Sequence, residues 1–279
     1  MPATAAVAAI VSPPELSLNE GRLWCELIER RCGVFFPETQ WRHLRRRLWE
    51  RMLAASIPTY SQYYHLLTED RWQTEWARLL EDLLNPETSF FRHEPSFKAL
   101  GALLGRRSSQ TEPGALWSAG CSTGEEAYSL AMAAVSLTGA ADVVGSDLHL
   151  SALDQARAGI FSARQSAGVP PAWRSRFLTE ARPAGQFEVT SGLRSHVRFE
   201  PFHLLDPSTY PRREFDVIFC FNVLVYFRPP ARQEALTGLL GRLKPGGHLF
   251  LAPGESAGLA FAGAGPVCVE GTQVWRRAS

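Results

Sequence analysis

The chain has 279 residues, of which 45% are hydrophobic and 20% charged, and its formal net charge at pH 7 is +1. This composition excludes a disordered chain, and the small net charge provides no global field that would favour nucleic acid or an anionic membrane. No apolar run reaches the roughly 18 residues that a membrane-spanning helix needs, so we expect no direct membrane insertion.

The first part of the chain carries helical patterns. Residues 1–14 are rich in Ala, Val and Pro and lack a basic start, so we interpret them as a flexible tail and not as a signal peptide. In residues 15–84, apolar side chains recur at helical spacing, and no strand-like alternation interrupts them. We therefore predict an all-helical N-terminal domain over 15–84, followed by a linker and connecting helix over 85–110.

A second region begins at residue 111, where apolar strands alternate with helices. This alternation predicts an α/β domain over 111–279, with a doubly wound, mostly parallel sheet of the Rossmann-like kind. The predicted strands are 115–119, 142–146, 196–200, 215–221 and 248–252, and the predicted helices are near 124–137, 150–158 and 230–243. Residues 162–195 are long for a crossover with one helix, which favours a small β insertion. The final run, 267–275, predicts an antiparallel hairpin at the sheet edge.

The most informative motif is the segment 117–129, Trp-Ser-Ala-Gly-Cys-Ser-Thr-Gly-Glu-Glu-Ala-Tyr-Ser. It has the pattern of a buried strand end, a tight turn at Gly120–Gly124 and a helix start, an arrangement that lets backbone approach a nucleotide-type ligand. The next apolar run ends in Asp147, where such sites bind ribose hydroxyls, although the residue could instead cap the following helix. Of Glu125 and Glu126, we favour Glu125 as the acid that faces the ligand.

Five cysteines are few, odd in number and without C-x-x-C spacing. They favour reduced thiols in a cytoplasm and argue against a zinc site, so we predict no metal. Cys220 lies in an apolar run, and we expect it to fill the core.

Several segments resemble the CheR family, the S-adenosylmethionine-dependent methyltransferases of bacterial chemotaxis receptors. The matching segments are 87–92 (Glu-Thr-Ser-Phe-Phe-Arg), 117–129, 215–227, 243–247 and 254–256. Any one motif could arise by chance, whereas the colinear set is specific and extends from roughly residue 20 to 277. The resemblance implies an N-terminal helical domain, a Rossmann-type methyltransferase domain, and a small antiparallel subdomain inserted at 168–195.

The resemblance also implies the reaction: methyl transfer from S-adenosylmethionine to glutamate side chains of a chemoreceptor's cytoplasmic helix. The products are glutamyl γ-methyl esters and S-adenosylhomocysteine. An activated methyl group and an ionised carboxylate need no metal or strong base, only alignment and removal of water. We expect a cytoplasmic monomer that binds the receptor's cytoplasmic domain. Whether the β subdomain also binds the receptor's C-terminal peptide, by adding a strand to a sheet edge, is left open.

By the same resemblance, Arg92 and Tyr226 are the candidate catalytic residues, because a basic or hydroxyl group should hold the glutamate carboxylate. Thr88 stands four residues before Arg92, so a helical turn would place both on one face. The alternative for Arg92 is a pair with a structural acid. The predicted cofactor contacts are Pro86, Thr88, Arg92, Gly120, Glu125, Asp147, His203, Leu204, Phe221 and Asn222.

A basic run lies on the second predicted helix. In the family this helix carries basic residues that contact the acidic receptor bundle, and a solvated helix face is the alternative. The candidate receptor-docking residues are Arg42, Arg45, Arg46, Arg47 and Arg51.

Two other enzyme classes fit part of the sequence. Gly120–Gly124 matches the G-x-S-x-G turn of serine hydrolases, but Asp216 and His248, which have the right order, would place the histidine at a strand start. Amino-methylating nucleic-acid enzymes carry an Asp/Asn-Pro-Pro-Tyr/Phe motif after the fourth strand, and 221–227 lacks it. We therefore expect no nucleic-acid partner, and aromatic and basic residues are not interleaved as single-strand stacking requires.

A non-catalytic alternative is a regulatory module of a chemosensory system that binds S-adenosylmethionine. It is left open because three positions depart from the family's usual residues. Asparagine is usual at Pro86 and His203, and arginine at Phe221.

Overall fold

The computed structural model describes residues 12–69, 72–84, 87–106 and 113–279. Chain contacts divide the protein into two compact units, which are treated separately below. The helical unit comprises the described residues of Met1–Arg31 and Phe35–Leu84, and the sheet unit those of Cys32–Val34 and Asn85–Ser279. None of the helices in these ranges combines the length and apolar character that crossing a bilayer requires.

Four α-helices make up the described part of the helical unit: α1 (Leu18–Cys32), α2 (Trp41–Ala54), α3 (Tyr60–Thr68) and α4 (Gln73–Leu83). Each buries one apolar stripe, as the periodicity predicted. The buried stripe of α2 consists of Leu44, Leu48 and Met52, none of which is exposed. Helix α3 starts at an N-cap threonine, Thr59, whose Oγ1 accepts a hydrogen bond from the Gln62 N–H at 3.2 Å.

A seven-stranded sheet organises the sheet unit. Its strands are β1 (Ala115–Ala119), β2 (Asp142–Asp147), β6 (Val197–Pro201), β7 (Phe215–Cys220), β8 (Leu243–Leu251), β9 (Ala264–Val269) and β10 (Thr272–Arg277). The strand order is β6-β2-β1-β7-β8-β10-β9. The first five strands in this order are parallel, and β10 and β9 continue the sheet as the predicted antiparallel hairpin.

Helices cover the sheet, and all of them except the first, which precedes β1, lie in connections between parallel strands. They are α5 (Glu94–Gly105), α6 (Glu125–Thr138), α7 (Leu150–Ala158) and α11 (Pro229–Gly241). Every residue of β1 and of β7 is buried, and two separate apolar clusters share the side chains of these strands. A strand that is buried on both faces reads as a continuous apolar run, which is why β1 and β7 could be recognised in the sequence.

The small β insertion is a three-stranded antiparallel sheet in the order β3-β5-β4. Its strands are β3 (Ile160–Ser162), β4 (Leu178–Ala181) and β5 (Gln186–Val189), and the short helices α8 (Ala163–Ser166), α9 (Pro171–Phe177) and α10 (Ser191–Arg194) accompany them. The predicted fold class is confirmed. The insertion begins at Ile160, earlier than the expected residue 168, because β3 follows α7 after a single glycine, Gly159.

Strand β8 differs from its prediction. It begins at Leu243, which pairs with Phe215, and the register then jumps so that His248 pairs with Val217. Residues 244–247 therefore form an irregularity inside the strand and do not precede it. Gly247 is required there, because a Cβ at this position would lie 2.9 Å from the Lys244 carbonyl oxygen.

Candidate cofactor and active site

The candidate site lies at the carboxyl edge of the parallel strands. Strands β2 and β6 lie on one side of β1, and β7 and β8 lie on the other side. The connections therefore reverse direction between β1 and β7, and open α/β sheets bind ligands in the crevice at such a point. The loops that follow these five strands contain most of the predicted cofactor contacts.

The loop after β1 is held close to its neighbours. The N–H groups of Gly120 and Cys121 donate to the Ser146 carbonyl oxygen at 2.8 and 2.9 Å. Gly120 has φ +89°, and a Cβ there would lie 2.4 Å from Cγ2 of Val223, so only glycine fits. The loop after β1 thus packs directly on the segment after β7, across the point where the topology switches.

Asp147, the last residue of β2, fixes the same loop. Its Oδ2 accepts a hydrogen bond from the Ser122 N–H at 2.7 Å, and its Oδ1 accepts one from the His149 N–H at 2.9 Å. Burial raises the pKa of this carboxyl group, and hydrogen bonds from the backbone, together with the charge of His149, oppose that effect. The N-cap of α7 is His149, whose side chain accepts from the Ala152 N–H, so the side chain of Asp147 does not cap this helix.

Glu125 is buried at the start of α6. The Thr123 hydroxyl donates to its Oε2 at 2.6 Å, and the Gln165 amide donates to its Oε1 at 2.9 Å. Burial is the main reason that the pKa of Glu125 is raised. Because Gln165 belongs to α8 of the β insertion, this hydrogen bond connects the insertion to the first turn of α6.

The carboxyl group of Glu126 lies in a different environment from that of Glu125. The Ser118 hydroxyl donates to its Oε1 at 2.7 Å. Burial raises its pKa from an ordinary 4.5 to about 7, the negative charge of Glu255 adds to the shift, and the Ser118 hydrogen bond and the charge of Arg92 oppose it. The pKa of Glu126 thus responds to the charges of both Glu255 and Arg92.

Glu255 organises the segment after β7, a role that the sequence did not reveal. This carboxylate is 1% exposed. Its Oε2 accepts from the N–H groups of Asn222 and Ala252, both at 3.0 Å, and its Oε1 accepts from the Val225 N–H at 3.2 Å. The Gly-Glu-Ser segment at 254–256 was one of the segments that resemble the family. The role of its carboxylate could not be inferred from the sequence, because it binds backbone N–H groups that are 30 or more residues away.

Arg92 lies in an irregular segment, so the predicted helical turn from Thr88 to Arg92 is wrong. Phe91 has φ +52°, which is incompatible with a right-handed helix, and α5 begins only at Glu94. The Arg92 Nη1 donates to the Glu87 carbonyl oxygen at 2.7 Å. In the described ranges no carboxylate forms an ion pair with Arg92, so the structural-acid alternative receives no support.

Tyr226, Asn222 and Phe221 follow β7. Tyr226 ends a 3-10 turn, Leu224–Tyr226, and its side chain is 38% exposed. Asn222 has φ +60° and is fixed by Glu255. The Phe221 ring packs against Phe219 with a centroid distance of 5.0 Å, and the residue is 9% exposed.

The two remaining described candidates follow β6. His203 Nδ1 accepts a hydrogen bond from the Leu205 N–H at 3.2 Å, so the imidazole supports its own turn. The Leu204 side chain is buried in the core. Pro86 lies outside the described residues. The roles assigned to all these residues stay predictions.

The basic run on α2 divides into two parts. Arg51 points into the helical unit, where its Nε and Nη2 bind the two oxygens of the buried Glu75 at 3.0 and 2.7 Å. The Tyr63 hydroxyl donates to the same carboxylate at 2.8 Å. Arg51 is therefore structural, and the docking interpretation is wrong for it, because only 17% of its side chain is exposed. For the other four arginines of the run, docking to the receptor stays a prediction: Arg42, Arg45, Arg46 and Arg47.

A doubly wound sheet with a glycine turn after β1 and an acid at the end of β2 defines a nucleoside-binding α/β protein. Two family models match this chain: "CheR methyltransferase, SAM binding domain" over residues 86–260 and "CheR methyltransferase, all-alpha domain" over residues 19–84. The chain belongs to the CheR methyltransferase family. The predicted family, its S-adenosylmethionine-dependent methyltransferase type and its cofactor are thereby confirmed.

Curated relatives agree with the family models. The chain is 31% identical to a chemotaxis protein methyltransferase of Escherichia coli K12, over 83% of this chain and 82% of that protein. It is 30% identical to chemotaxis protein methyltransferase 2 of Pseudomonas aeruginosa, over 83% of this chain and 84% of the other. It is also 34% identical to an uncharacterized 104.1 kDa protein of Rhodobacter capsulatus, but spans only 23% of that protein.

Proposed function

We propose that the protein methylates glutamate side chains on the cytoplasmic helix of a chemoreceptor and forms glutamyl γ-methyl esters. The relatives named chemotaxis protein methyltransferases support a role in chemotaxis. A relative from Pseudomonas putida, 32% identical and named a probable biofilm formation methyltransferase, supports including related chemosensory pathways. The observation that carries the proposal is the guanidinium of Arg92, which has no acidic partner in the described ranges and whose positive charge opposes the raised pKa of Glu126.

The loops at the carboxyl edge suit the cofactor. Each carboxylate oxygen of Asp147 accepts one hydrogen bond from a backbone N–H. Because a carboxylate has about four acceptor sites, Asp147 can still accept hydrogen bonds from two ribose hydroxyls. The glycine turn at Gly120 allows backbone to approach the ligand. We assign further contacts to Thr88, Arg92, Glu125, His203, Leu204, the Phe221 backbone and Asn222.

S-adenosylmethionine bound at this edge would supply an activated methyl group, which the substrate carboxylate would accept while the carbon–sulfur bond breaks and sulfur keeps the electron pair. The substrate glutamate is ionised at pH 7, so the protein needs no general base. Arg92 would hold one side of this carboxylate through paired N–H donors, and the Tyr226 hydroxyl would donate to it. Carboxylates at this edge, Asp147 and Glu255 among them, would favour the cationic cofactor.

The partner in this proposal is the cytoplasmic domain of the receptor, and the protein acts as a cytoplasmic monomer. The arginines Arg42, Arg45, Arg46 and Arg47 would contact an acidic receptor surface. Arg42 and Arg46 are exposed, which such a contact needs. Arg47 already binds Glu50 at 2.8 Å and would have to share its charge.

The test is transfer of a radiolabelled methyl group from S-adenosylmethionine to a receptor cytoplasmic fragment. We expect label that alkali releases as methanol, as an ester requires. Arg92→Gln should lower kcat/KM about 30-fold or more, since losing a charge-assisted contact costs at least roughly 2 kcal/mol. The matched control is Arg212→Gln, an exposed arginine that precedes β7 at the opposite edge, and it should keep wild-type activity.

Two results would contradict the proposal. Alkali-stable label would exclude a carboxyl ester, and an Arg92→Gln enzyme with wild-type kcat/KM would remove Arg92 from substrate binding. Binding of S-adenosylmethionine without any transfer would favour the non-catalytic regulatory module.

A further inference from the structure

A cavity lies within the sheet unit, away from the carboxyl edge of the parallel strands. Its volume is about 410 Å³, and it opens between the end of α5 and the sheet, near the beginnings of β7 and β8. None of its lining residues belongs to the loops that follow the carboxyl ends of β1, β2, β6, β7 and β8. Sites for small molecules commonly measure about 300–1,000 Å³, so the cavity is large enough for a small organic ligand.

The lining combines apolar walls with two arginines. Leu103, Val217 and Val269 supply apolar surface, and Arg106 and Arg276 bring positive charge. Both arginines are exposed, and no described residue forms an ion pair or side-chain hydrogen bond with either guanidinium. We call this cavity, with Arg106, Arg276, His248 and its apolar walls, the basic pocket.

The acid in the lining does not neutralise these charges. Asp216 is buried, and its Oδ2 accepts from the Lys244 ammonium at 2.9 Å and from the Ala115 N–H at 2.8 Å. Its negative charge is thus matched by Lys244. The two arginines are left as net positive charge over an apolar surface.

The charges of both arginines influence a third residue of the lining, His248. His248 also lines the pocket, and β8 and β10 pair His248 directly with Arg276. Burial lowers the pKa of His248, and the charges of Arg276 and Arg106 lower it further. Both arginines therefore line the same cavity as His248, and Arg276 is its direct neighbour across the β8–β10 pair.

We propose that the basic pocket binds a small organic anion with an apolar body, whose charged group pairs with Arg106 and Arg276. Guanidinium groups recognise planar or tetrahedral oxyanions through paired N–H donors. The body of the ligand covers Leu103, Val217 and Val269. This site is separate from methyl transfer and does not depend on the proposed receptor substrate.

Cys268 gives a direct readout, because it lines the pocket and is exposed, whereas the other four cysteines are buried. The rate at which iodoacetamide, an uncharged reagent, labels Cys268 is measured against increasing concentrations of phenyl phosphate. We expect saturable protection. Phenol, which has the ring without the charge, should not protect, and inorganic phosphate should protect only at higher concentration than phenyl phosphate.

Variants locate the anion. Arg106→Gln and Arg276→Gln should each raise the half-protecting concentration of phenyl phosphate about tenfold or more, since hydrogen bonds to charged groups contribute that much. Lys98→Gln is the control: it removes a positive charge from α5 outside the pocket, where Lys98 is 71% exposed and 3.8 Å from Glu270. It should leave protection unchanged.

Three outcomes would overturn the proposal. Absence of protection by phenyl phosphate would mean that the pocket binds no such anion. Unchanged protection in both arginine variants would place the anion elsewhere. Protection by phenol equal to that by phenyl phosphate would show that the pocket does not recognise the charged group. Equal protection by inorganic phosphate would show that it does not recognise the apolar body.

Discussion

Buried carboxylates occur in both units of this protein, but their partners differ. In the helical unit, Glu75 receives a bidentate pair from Arg51 and a hydrogen bond from Tyr63. At the carboxyl edge of the sheet unit, Asp147 and Glu255 receive hydrogen bonds from backbone N–H groups. No described Lys or Arg forms an ion pair with either of these two carboxylates.

The kind of hydrogen-bond partner distinguishes a carboxylate with a structural role from carboxylates that can bind a ligand. A buried charge is tolerated only when paired or hydrogen-bonded, and both arrangements meet that requirement. The pair in the helical unit cancels the charge of Glu75. Backbone donors bring no positive side-chain charge to Asp147 or Glu255, and they leave unused acceptor sites on the carboxylate oxygens. Such an edge suits a ligand with hydroxyl groups and a positive charge.

The largest expected effect on stability comes from removing the cation that pairs with Glu75. Arg51→Ala leaves Glu75 buried without its cation, which should lower the free energy of unfolding of the helical unit by about 3–5 kcal/mol. Urea denaturation followed by circular dichroism measures this. Arg46→Ala, which removes a 3.6 Å pair from a side chain that is 56% exposed, should cost no more than about 0.5 kcal/mol. Equal effects of the two variants would contradict the structural role of Arg51.

A smaller, pH-dependent effect is expected at Glu126. Its pKa is about 7 in the folded protein and near 4.5 when exposed. Between these values the unfolded chain releases a proton that the folded protein keeps, so stability falls as pH rises from about 4.5 to 7. Glu126→Gln cannot ionise and should be more stable than wild type above pH 7, by on the order of 1–3 kcal/mol.

The control for Glu126 is the same comparison at low pH. At about pH 4 both states of the wild type are largely protonated, so the stability gain of Glu126→Gln should vanish. A gain that is the same at pH 4 and pH 8, measured by urea denaturation, would show that ionisation of Glu126 is not its cause.

Periodicity was sufficient to predict much of the fold. The stripe of Leu44, Leu48 and Met52 identified α2, and the continuous apolar runs identified β1 and β7, because burial dictates both patterns. The irregularity at 244–247 could not be predicted, since it depends on close contacts of Gly247 with neighbouring carbonyl groups. The turn at Phe91 was missed because its positive φ falls on a residue type that rarely adopts one.

Only part of the candidate site could be predicted from the sequence. Gly120 and Asp147 could be found because strand–turn–helix patterns place such residues beside a ligand. Arg51 was misassigned because it belongs to a basic run on α2, while its partner Glu75 lies 24 residues away in the sequence. Glu255 received no role for the same reason: two of its three hydrogen-bond partners, Val225 and Asn222, lie 30 and 33 residues away.

The central claim is that the carboxyl edge binds S-adenosylmethionine through Asp147, and calorimetric titration tests it most directly. Asp142 begins the same strand, forms ion pairs with Arg198 and Arg213 at the opposite edge, and provides the matched control. We expect Asp147→Ala to raise the Kd for S-adenosylmethionine about 10–100-fold, as loss of hydrogen bonds to a charged group predicts, and Asp142→Asn to change it less than about twofold. Wild-type affinity in Asp147→Ala, or no binding by the wild type, would contradict the account.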